Sequence, residues 1–262
     1  MNDLIREIFG RLGISEVGFC PFEAVADRLL PCRAKERLPE HPQSILLCLF
    51  PYKVKEERPH HISRYAAVPD YHGVCGRYLE KAAAALQAAF PQNQFIWFLD
   101  NSPIPEVYAA ACAGLGLAGE NGLLINRRFG SWCFIGEVVT DLAVPCQNKP
   151  EKCPSCGDCK KACPRGDYGT DCLSAVSQQK RALTLAEETA LRENGLIWGC
   201  DLCAEACPLN RGVELAPLPE FVAGYREDYR EGETIEGRAY AWRGEKPVRR
   251  NAAIVSGKEK AT

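Results

Sequence analysis

Apolar residues in the first half of the chain follow helical spacing in some stretches and form continuous strand-like runs in others. Residues 4–12 repeat at intervals of three and four, which predicts an amphipathic helix that ends before Gly13. Apolar runs at 45–50 and 95–99 predict buried strands, and the alanine-rich stretch 78–90 predicts a second helix. We therefore expect an α/β or α+β domain in which helices cover a sheet.

Changes in composition divide the chain into three parts. Residues 1–145 hold the alternating strands and helices, and a proline-bounded linker at 145–150 follows them. Cysteines are concentrated in the second part, 146–210, and the last part, 211–262, is more polar. We expect an α+β domain, a cysteine-rich domain and a C-terminal extension.

Composition and charge are ordinary for a globular protein, with 46% hydrophobic and 25% charged residues. A net charge of −2 gives no basic field that would favour a nucleic acid or a membrane surface. The longest apolar run, 107–113, is too short to cross a bilayer, and the N-terminus lacks the features of a signal peptide. We therefore expect a cytoplasmic protein without a membrane partner.

Eight of the 15 cysteines lie between residues 153 and 207, at the spacing of bacterial ferredoxins. The first run ends in Cys163-Pro164, a pattern in which the fourth thiolate serves the other [4Fe–4S] cluster. The second run ends in Cys207-Pro208 and is one thiolate short, and Cys172 between the runs can supply it. The predicted ligands are Cys153, Cys156, Cys159 and Cys207 for the first cluster, and Cys163, Cys172, Cys200 and Cys203 for the second.

Zinc offers an alternative interpretation of the same cysteines. Pairs of the form CxxC also suit tetrahedral zinc, so two four-cysteine zinc sites are possible. The ferredoxin run with its closing Cys-Pro, given twice in part, is more specific for iron–sulfur clusters. We expect the other seven cysteines to be small buried residues without a ligand role; they are Cys20, Cys32, Cys48, Cys75, Cys112, Cys133 and Cys146.

Short motifs along almost the whole chain are similar to those of one enzyme family. The motifs are 63–66 (SRYA), 70–72 (DYH), 99–103 (LDNSP), 113–121 (AGLGLAGEN), 136–141 (GEVVTD), 171–174 (DCLS) and 199–203 (GCDLC). Together they resemble the epoxyqueuosine reductases, which are cobalamin-dependent iron–sulfur enzymes of tRNA modification.

The resemblance implies an α+β fold in which a nitroreductase-like cobalamin-binding domain precedes a bacterial-ferredoxin-like double-cluster domain. It implies an oxidoreductase that converts epoxyqueuosine to queuosine in tRNA, with base-off cobalamin and two [4Fe–4S] clusters as cofactors. The expected partners are tRNA as substrate and a flavodoxin or ferredoxin-type electron donor, and we expect a monomer. Residues 246–255 (KPVRRNAAIV) resemble the start of the family's helical repeats, which implies a short form that lacks that domain.

The resemblance also assigns roles to individual residues. Asp100 matches the family's proton donor to the departing oxygen, a role for which we expect burial to raise its pKa. The alternative is that Asp100 only caps the helix that follows. Arg64, Asn121, Leu124 and Ser174 correspond to residues near the cofactor. A surface salt bridge for Arg64 and core packing for Leu124 are the alternatives.

Residues 173–180 depart from the family's tRNA-contacting stretch, because they lack its aromatic and its acidic residue. Two alternative functions follow from this departure. The protein could be a related cobalamin and iron–sulfur reductase with another substrate, or a ferredoxin-type electron-transfer protein.

Overall fold

The apolar runs of the sequence form an antiparallel sheet of four strands in the computed structural model, which describes residues 1–146, 149–166 and 171–257. The strands are β1 Val17–Pro21, β2 Ser44–Pro51, β3 Phe95–Leu99, β4 Leu117–Ala118, β5 Leu124–Ile125, β6 Cys133–Thr140 and β7 Glu151–Lys152. The large sheet has the order β1-β2-β6-β3, and each neighbouring pair is antiparallel. The short strands form a second sheet in the order β5-β4-β7.

The helices are α1 Asn2–Arg11, α2 Arg64–Ala67, α3 Tyr71–Ala89, α4 Glu106–Cys112, α5 Asp158–Ala162, α6 Leu173–Ser177, α7 Leu185–Glu193, α8 Leu202–Glu205, α9 Pro219–Ala223 and α10 Glu245–Ser256. The helices predicted at 4–12 and 78–90 are confirmed as α1 and α3. Helix α3 begins well before the predicted start, because its packing on β3 and β6 outweighs the low helix propensity of Gly73 and Gly76. No helix in the described ranges combines the length and the apolar character that a membrane crossing requires.

Helices cover both faces of the large sheet. Every position of β2 is buried. Leu47 belongs to the core that the alanines of α4 help to build, whereas Phe50 and Leu79 of α3 meet over Gly136. Because side chains alternate between the faces of a strand, α3 and α4 lie on opposite faces.

The strand predictions for 45–50 and 95–99 are confirmed as β2 and β3.

The chain forms two compact units. The first, the sheet unit, comprises Met1–Pro51 and Tyr71–Ser155. The second, the cysteine-rich unit, comprises Tyr52–Asp70 and Cys156–Thr262. The domain limits predicted at residues 145 and 210 stay predictions.

The cysteine-rich unit builds its core from short helices around Trp198 and between α6, α7 and α10. Buried Asn251 of α10 donates hydrogen bonds to the carbonyl oxygens of Ser177 (2.7 Å) and Ile197 (2.8 Å). Because a buried amide is costly unless it is satisfied, these bonds fix the position of α10 within the unit. The basic stretch 246–255 is therefore part of a packed helix.

Candidate active site

Asp100 directly follows β3 and begins the loop of residues 100–105 that leads to α4, here called the Asp100 loop. Its backbone lies in the left-handed region with φ 60°, which aspartate, asparagine and glycine tolerate better than other residues. Backbone hydrogen bonds from Asn101 to Leu99 (2.7 Å) and from Ser102 to Asp100 (2.8 Å) tighten the turn. The Asp100 side chain is 59% exposed, so a strained turn presents a carboxyl group to solvent.

The Asp100 carboxyl group does not cap α4. The cap of α4 is Pro105, and no side chain accepts a hydrogen bond there. Asp100 instead meets His72 of α3, with 3.3 Å between Nε2 and Oδ2. The hydrogen bond with His72 is the main cause that holds the pKa of Asp100 below its ordinary value, against the effect of burial. The expected rise of this pKa is therefore wrong, because a partner outweighs burial.

Aromatic stacking holds His72 in place. The ring of Tyr71 lies 4.1 Å from the ring of His72 and 4.1 Å from that of Phe134 on β6, with both pairs stacked. The sequence marks residues 70–72 as a family motif but gives His72 no role. The role of His72 follows from its contact with Asp100, which the sequence does not predict.

Two further carboxyl groups lie near the Asp100 loop. Burial, and then the charge of Asp100, raises the pKa of half-buried Glu106 to about 7. Glu137 is fully buried on β6, and burial raises its pKa well above the ordinary value. The hydroxyl group of Ser102 hydrogen-bonds to Glu137. The pKa values of the deepest carboxyl group and of Asp100 are therefore shifted in opposite directions.

Arg64 lies in the cysteine-rich unit and is only 4% exposed. Its guanidinium group donates to Glu205 (2.7 Å) and to the carbonyl oxygens of Lys55 (2.7 Å) and Glu56 (2.9 Å). Its backbone N–H donates to Asp201 (2.6 Å), whose pKa burial raises to about 6. These contacts support the salt-bridge alternative, with a buried position, and contact with a corrin stays a prediction.

The other predicted cofactor contacts have mixed surroundings. Leu124 of β5 is 5% exposed and packs in the core of the sheet unit, which supports the alternative for that residue. In the same unit, half-buried Asn121 accepts a hydrogen bond from the N–H of Leu123 (3.3 Å). Ser174 of α6, in the cysteine-rich unit, is half-buried and accepts from Gln178 (3.5 Å). Of the four predicted cofactor contacts, only Asn121 and Ser174 are partly exposed. These two residues alone do not form a corrin site.

Within the cysteine-rich unit, the predicted cluster ligands Cys172 and Cys203 each lie near a third one, Cys200. Burial is the main cause that raises the pKa of Cys200 to about 12, and the charges of Cys172 and Cys203 add to it. Such an effect requires the three thiol groups to be neighbours. In the same unit α5, which carries Cys159, packs against α8, which carries Cys203. Cys172, which is remote in sequence, therefore lies near Cys200, and its role as a ligand of the second cluster stays a prediction.

A [4Fe–4S] cluster fits this donor set. Among the described residues, no group of three or more His, Cys, Asp or Glu side chains converges as the ligands of a single metal ion do. An iron–sulfur cubane binds one thiolate at each of four irons, so its ligands surround a body larger than an ion. The grouping of Cys172, Cys200 and Cys203 meets that requirement in part, and the assignment of all eight ligands stays a prediction.

The seven cysteines outside the predicted clusters are less uniform than expected. Cys20, Cys48, Cys75 and Cys112 are buried, whereas Cys32, Cys133 and Cys146 are half-buried. Burial raises the pKa of Cys48 and Cys133 far above the ordinary thiol value, so both stay protonated. The prediction of full burial is therefore confirmed for four of the seven and wrong for three.

Solved structures share this fold. A crystal structure of epoxyqueuosine reductase with an epoxyqueuosine-modified tRNA-Tyr stem loop matches with a TM-score of 0.82 and 22% identity, over 97% of this chain and 80% of that chain. An epoxyqueuosine reductase from Bacillus subtilis, described with an aspartate-bearing catalytic loop swung out of the active site, matches with a TM-score of 0.80 and 21% identity at the same coverage. A reductive dehalogenase, described as suggesting a B12-dependent mechanism, matches at 0.50 and 17%, over 97% of this chain and 35% of that chain. The chain therefore has the mixed α/β fold of these structures.

Sequence comparison identifies the family. The family model of epoxyqueuosine reductase QueG, DUF1730, matches residues 33–101. An epoxyqueuosine reductase of Gloeobacter violaceus is 36% identical, over 58% of this chain and 50% of that protein. An epoxyqueuosine reductase of Listeria monocytogenes is 31% identical, over 93% of this chain and 77% of that protein. The chain thus spans between half and about three quarters of the length of these relatives, and its match over nearly its whole length shows that it belongs to the epoxyqueuosine reductase family.

Proposed function

We propose that this protein is an oxidoreductase that converts epoxyqueuosine to queuosine in tRNA. The names of its relatives and the tRNA stem loop in one solved relative support this assignment. The single observation that carries it is the setting of Asp100, an exposed carboxyl group held by a left-handed turn beside His72. It stands in the motif where the family resemblance assigns a proton donor.

The chemistry requires such a donor. Conversion of an epoxide to an alkene and water consumes two electrons and two protons, because two C–O bonds break and two O–H bonds form. An alkoxide is a poor leaving group near neutral pH, so a general acid must protonate the oxygen. Because His72 lowers the pKa of Asp100, the isolated carboxyl group is ionised at that pH. We therefore assign the donated proton to the Asp100–His72 pair, in which the imidazole can hold it.

We propose that the eight cysteines hold two [4Fe–4S] clusters, which carry one electron at a time. The ligands would be Cys153, Cys156, Cys159 and Cys207 for the first cluster, and Cys163, Cys172, Cys200 and Cys203 for the second. In the finer fold description, the sheet unit is nitroreductase-like and the double-cluster part is ferredoxin-like. The approach of Cys172 to Cys200 and Cys203 supports this proposal.

Cobalamin is the proposed second cofactor, and it would supply a strongly reducing cobalt centre. The proposal rests on the family resemblance, and the likeness to a dehalogenase described as B12-dependent adds only a shared fold. The half-buried side chains of Asn121 and Ser174 could contact it, whereas Arg64 and Leu124 are occupied by other protein groups. The work of the described residues in the reaction is therefore to hold and move the proton.

The proposed partners are tRNA as substrate and a flavodoxin or ferredoxin-type protein as electron donor. We propose a monomer that acts in the cytoplasm, where tRNA is modified. A related reductase with another substrate and an electron-transfer protein are the alternatives that an experiment must separate.

The test measures epoxyqueuosine and queuosine in tRNA by mass spectrometry. A strain without its epoxyqueuosine reductase should accumulate epoxyqueuosine, and expression of this chain should replace it with queuosine. The variant Asp100→Asn should fail to do so, whereas Asp27→Asn should succeed, because Asp27 is an exposed carboxylate of the same unit with no contact to His72. Persistent epoxyqueuosine in the presence of the folded, cluster-loaded protein would show that the substrate is a different one.

A further inference from the structure

A buried polar contact lies beneath the Asp100 loop. Ser102, which is 6% exposed, hydrogen-bonds through its hydroxyl group to Oε2 of Glu137. The same hydroxyl oxygen accepts a hydrogen bond from the N–H of Ile104 (3.1 Å). One serine thus connects the backbone of the loop to the middle of the sheet.

Glu137 is an unusual residue for its position. It pairs with Leu47 of β2 on one side and with Phe98 of β3 on the other, in the interior of the sheet. Its side chain is fully buried, and Oε1 has no hydrogen-bond partner among the described groups. An apolar residue would satisfy this position at lower cost, because burial of a half-satisfied carboxyl group is unfavourable. The one hydrogen bond recorded for this side chain goes to the Asp100 loop.

Other contacts also hold the Asp100 loop. Asp100 itself is in the left-handed region, and the Asn101 N–H bonds back to Leu99 within the turn. The carbonyl oxygen of Pro103 accepts a hydrogen bond from the N–H of Leu30 (2.7 Å). Strained backbone of this kind persists only where surrounding contacts hold it. Ile104 also packs in the core that includes Leu47 and Phe98, and the contact between Ser102 and Glu137 adds a side-chain hydrogen bond from the loop to the central strands.

A catalytic loop can move away from the active site in a related structure. The Bacillus subtilis relative is described with an aspartate-bearing catalytic loop swung out of its active site. In the present structure the Asp100 carboxyl group is within hydrogen-bonding distance of His72. A contact that favours one loop position would therefore control whether the acid is in place.

We propose that Ser102 and Glu137 are positioning residues that hold the Asp100 loop in the conformation in which Asp100 meets His72. This inference rests on the proposed function for its catalytic consequence, but not for its structural part. The alternative is that the pair only contributes to the stability of the sheet unit, as any buried hydrogen bond does.

The experiment compares Ser102→Ala with Ser44→Ala in the cluster-loaded full chain. Ser44 is a matched control, because it is 2% exposed, lies in the same unit and accepts a hydrogen bond from the N–H of Val144 (2.9 Å) away from the Asp100 loop. Hydrogen–deuterium exchange should accelerate in residues 99–106 of Ser102→Ala alone, with the rest of β3 and β6 unchanged. Equal exchange in that segment for both variants and the unaltered protein would overturn the proposal, as would faster exchange spread over the whole sheet unit.

Turnover of epoxyqueuosine in tRNA supplies the second readout. Misplacement of a catalytic group costs on the order of 100-fold in rate, so kcat of Ser102→Ala should fall by about that factor while KM stays nearly constant. Ser44→Ala should keep kcat even if its melting temperature falls. A loss of stability in Ser102→Ala with kcat intact would assign the pair a structural role only.

Variants of the partner separate geometry from charge. Glu137→Gln keeps a group that can hydrogen-bond to Ser102 and should retain kcat within a few-fold, because the amide can replace the carboxyl group in that contact. Glu137→Leu should match Ser102→Ala, and the double variant should be no worse than either, since all three remove one contact. Additive losses would contradict the proposal. If the unaltered protein does not reduce epoxyqueuosine, the proposed function fails, and the exchange measurement still decides whether the contact holds the loop.

Discussion

Asp100 in the sheet unit and Arg64 in the cysteine-rich unit are both charged residues in motifs shared with the family, and they have opposite surroundings. Asp100 is 59% exposed, sits on a left-handed residue and makes a 3.3 Å contact with His72. Arg64 is 4% exposed and donates to a carboxylate and to several carbonyl oxygens. A matched motif alone therefore does not distinguish a residue that acts on substrate from one that holds the fold.

The two side chains differ in the polar groups that remain available to a substrate or cofactor. The donors of a guanidinium group that are bonded within the protein cannot also bind a ligand without losing those bonds. The carboxylate of Asp100 keeps solvent access, and its backbone strain has no stabilising role in the sheet. The comparison therefore predicts that changes at Asp100 alter the chemistry, whereas changes at Arg64 alter stability.

The largest effect is expected from Asp100→Asn. Asparagine tolerates the left-handed backbone and can still hydrogen-bond to His72, so the fold should not change. Loss of a general acid typically lowers the rate on the order of 10²–10⁴-fold. Single-turnover assays on epoxyqueuosine-modified tRNA, with iron content and melting temperature as controls, measure this. Turnover close to that of the unaltered protein would remove Asp100 from the mechanism.

Cys172→Ser is expected to have the next largest effect, a loss of bound iron. It tests whether Cys172 is a cluster ligand in the cysteine-rich unit. If Cys172 completes the second cluster, this variant should lose about half of its iron and acid-labile sulfide. Cys32→Ser is the control, because Cys32 is a half-buried cysteine outside the predicted ligand set. Iron analysis and the absorbance near 400 nm give the measurement. Full iron content in Cys172→Ser would mean that another residue supplies the fourth ligand of the second cluster.

Arg64→Ala should destabilise the protein without changing the chemistry of the molecules that remain folded. Breaking a buried ion pair costs roughly 3 kcal/mol, the lower end of the usual range, because Glu205 is one-third exposed. Arg11→Ala should cost less than about 0.5 kcal/mol, since the Arg11–Glu7 pair is solvent-exposed. Urea unfolding measures both. If Arg64→Ala keeps its stability and loses cobalamin instead, the predicted corrin contact is right.

The sequence predicted the elements of the sheet better than the contacts of the site. Continuous apolar runs suffice to locate β2 and β3, because both strands are buried over most of their length. The partner of Asp100 could not be derived, since His72 is remote in the chain and only the packing of α3 on β3 brings them together. Glu137 stands out in the sequence as a single carboxyl group within the apolar strand 133–140. Its hydrogen-bonding partner depends on the register between β3 and β6 and could not be predicted.

The direction of the pKa shift of Asp100 has the same explanation. Its place at the end of a buried strand predicts burial, which raises the pKa, whereas the hydrogen bond with His72 depends on long-range packing and outweighs burial. In the cysteine-rich unit the local spacing of the cysteines predicts a ligand set, whereas the position of Cys172 near Cys200 depends on the fold of the residues between them. Local patterns therefore predict the type of chemistry, and long-range packing decides how each group is tuned.

His72→Asn should have a smaller effect on stability than Arg64→Ala, and it sharpens the comparison at the Asp100 site. The hydrogen bond with His72 is the main cause that lowers the pKa of Asp100, so this variant should move that pKa back towards 3.8. A lowered carboxyl pKa stabilises the folded state above the ordinary pKa, and this contribution is lost as the pH falls through the lowered value. Because Asp100 is more than half exposed, the gain is no more than about 1 kcal/mol.

Infrared difference spectra can measure this shift. Subtraction of the spectrum of the matching Asp100→Asn protein isolates the carboxylate band of Asp100 in the presence and absence of His72. The band should disappear at a higher pH in His72→Asn than in the protein with His72, and turnover should fall because the proton of the pair has lost its holder. An unchanged titration would mean that the 3.3 Å contact does not control the carboxyl group. In that case Asp100 would act alone, and it would need substrate binding to raise its pKa before it could donate a proton.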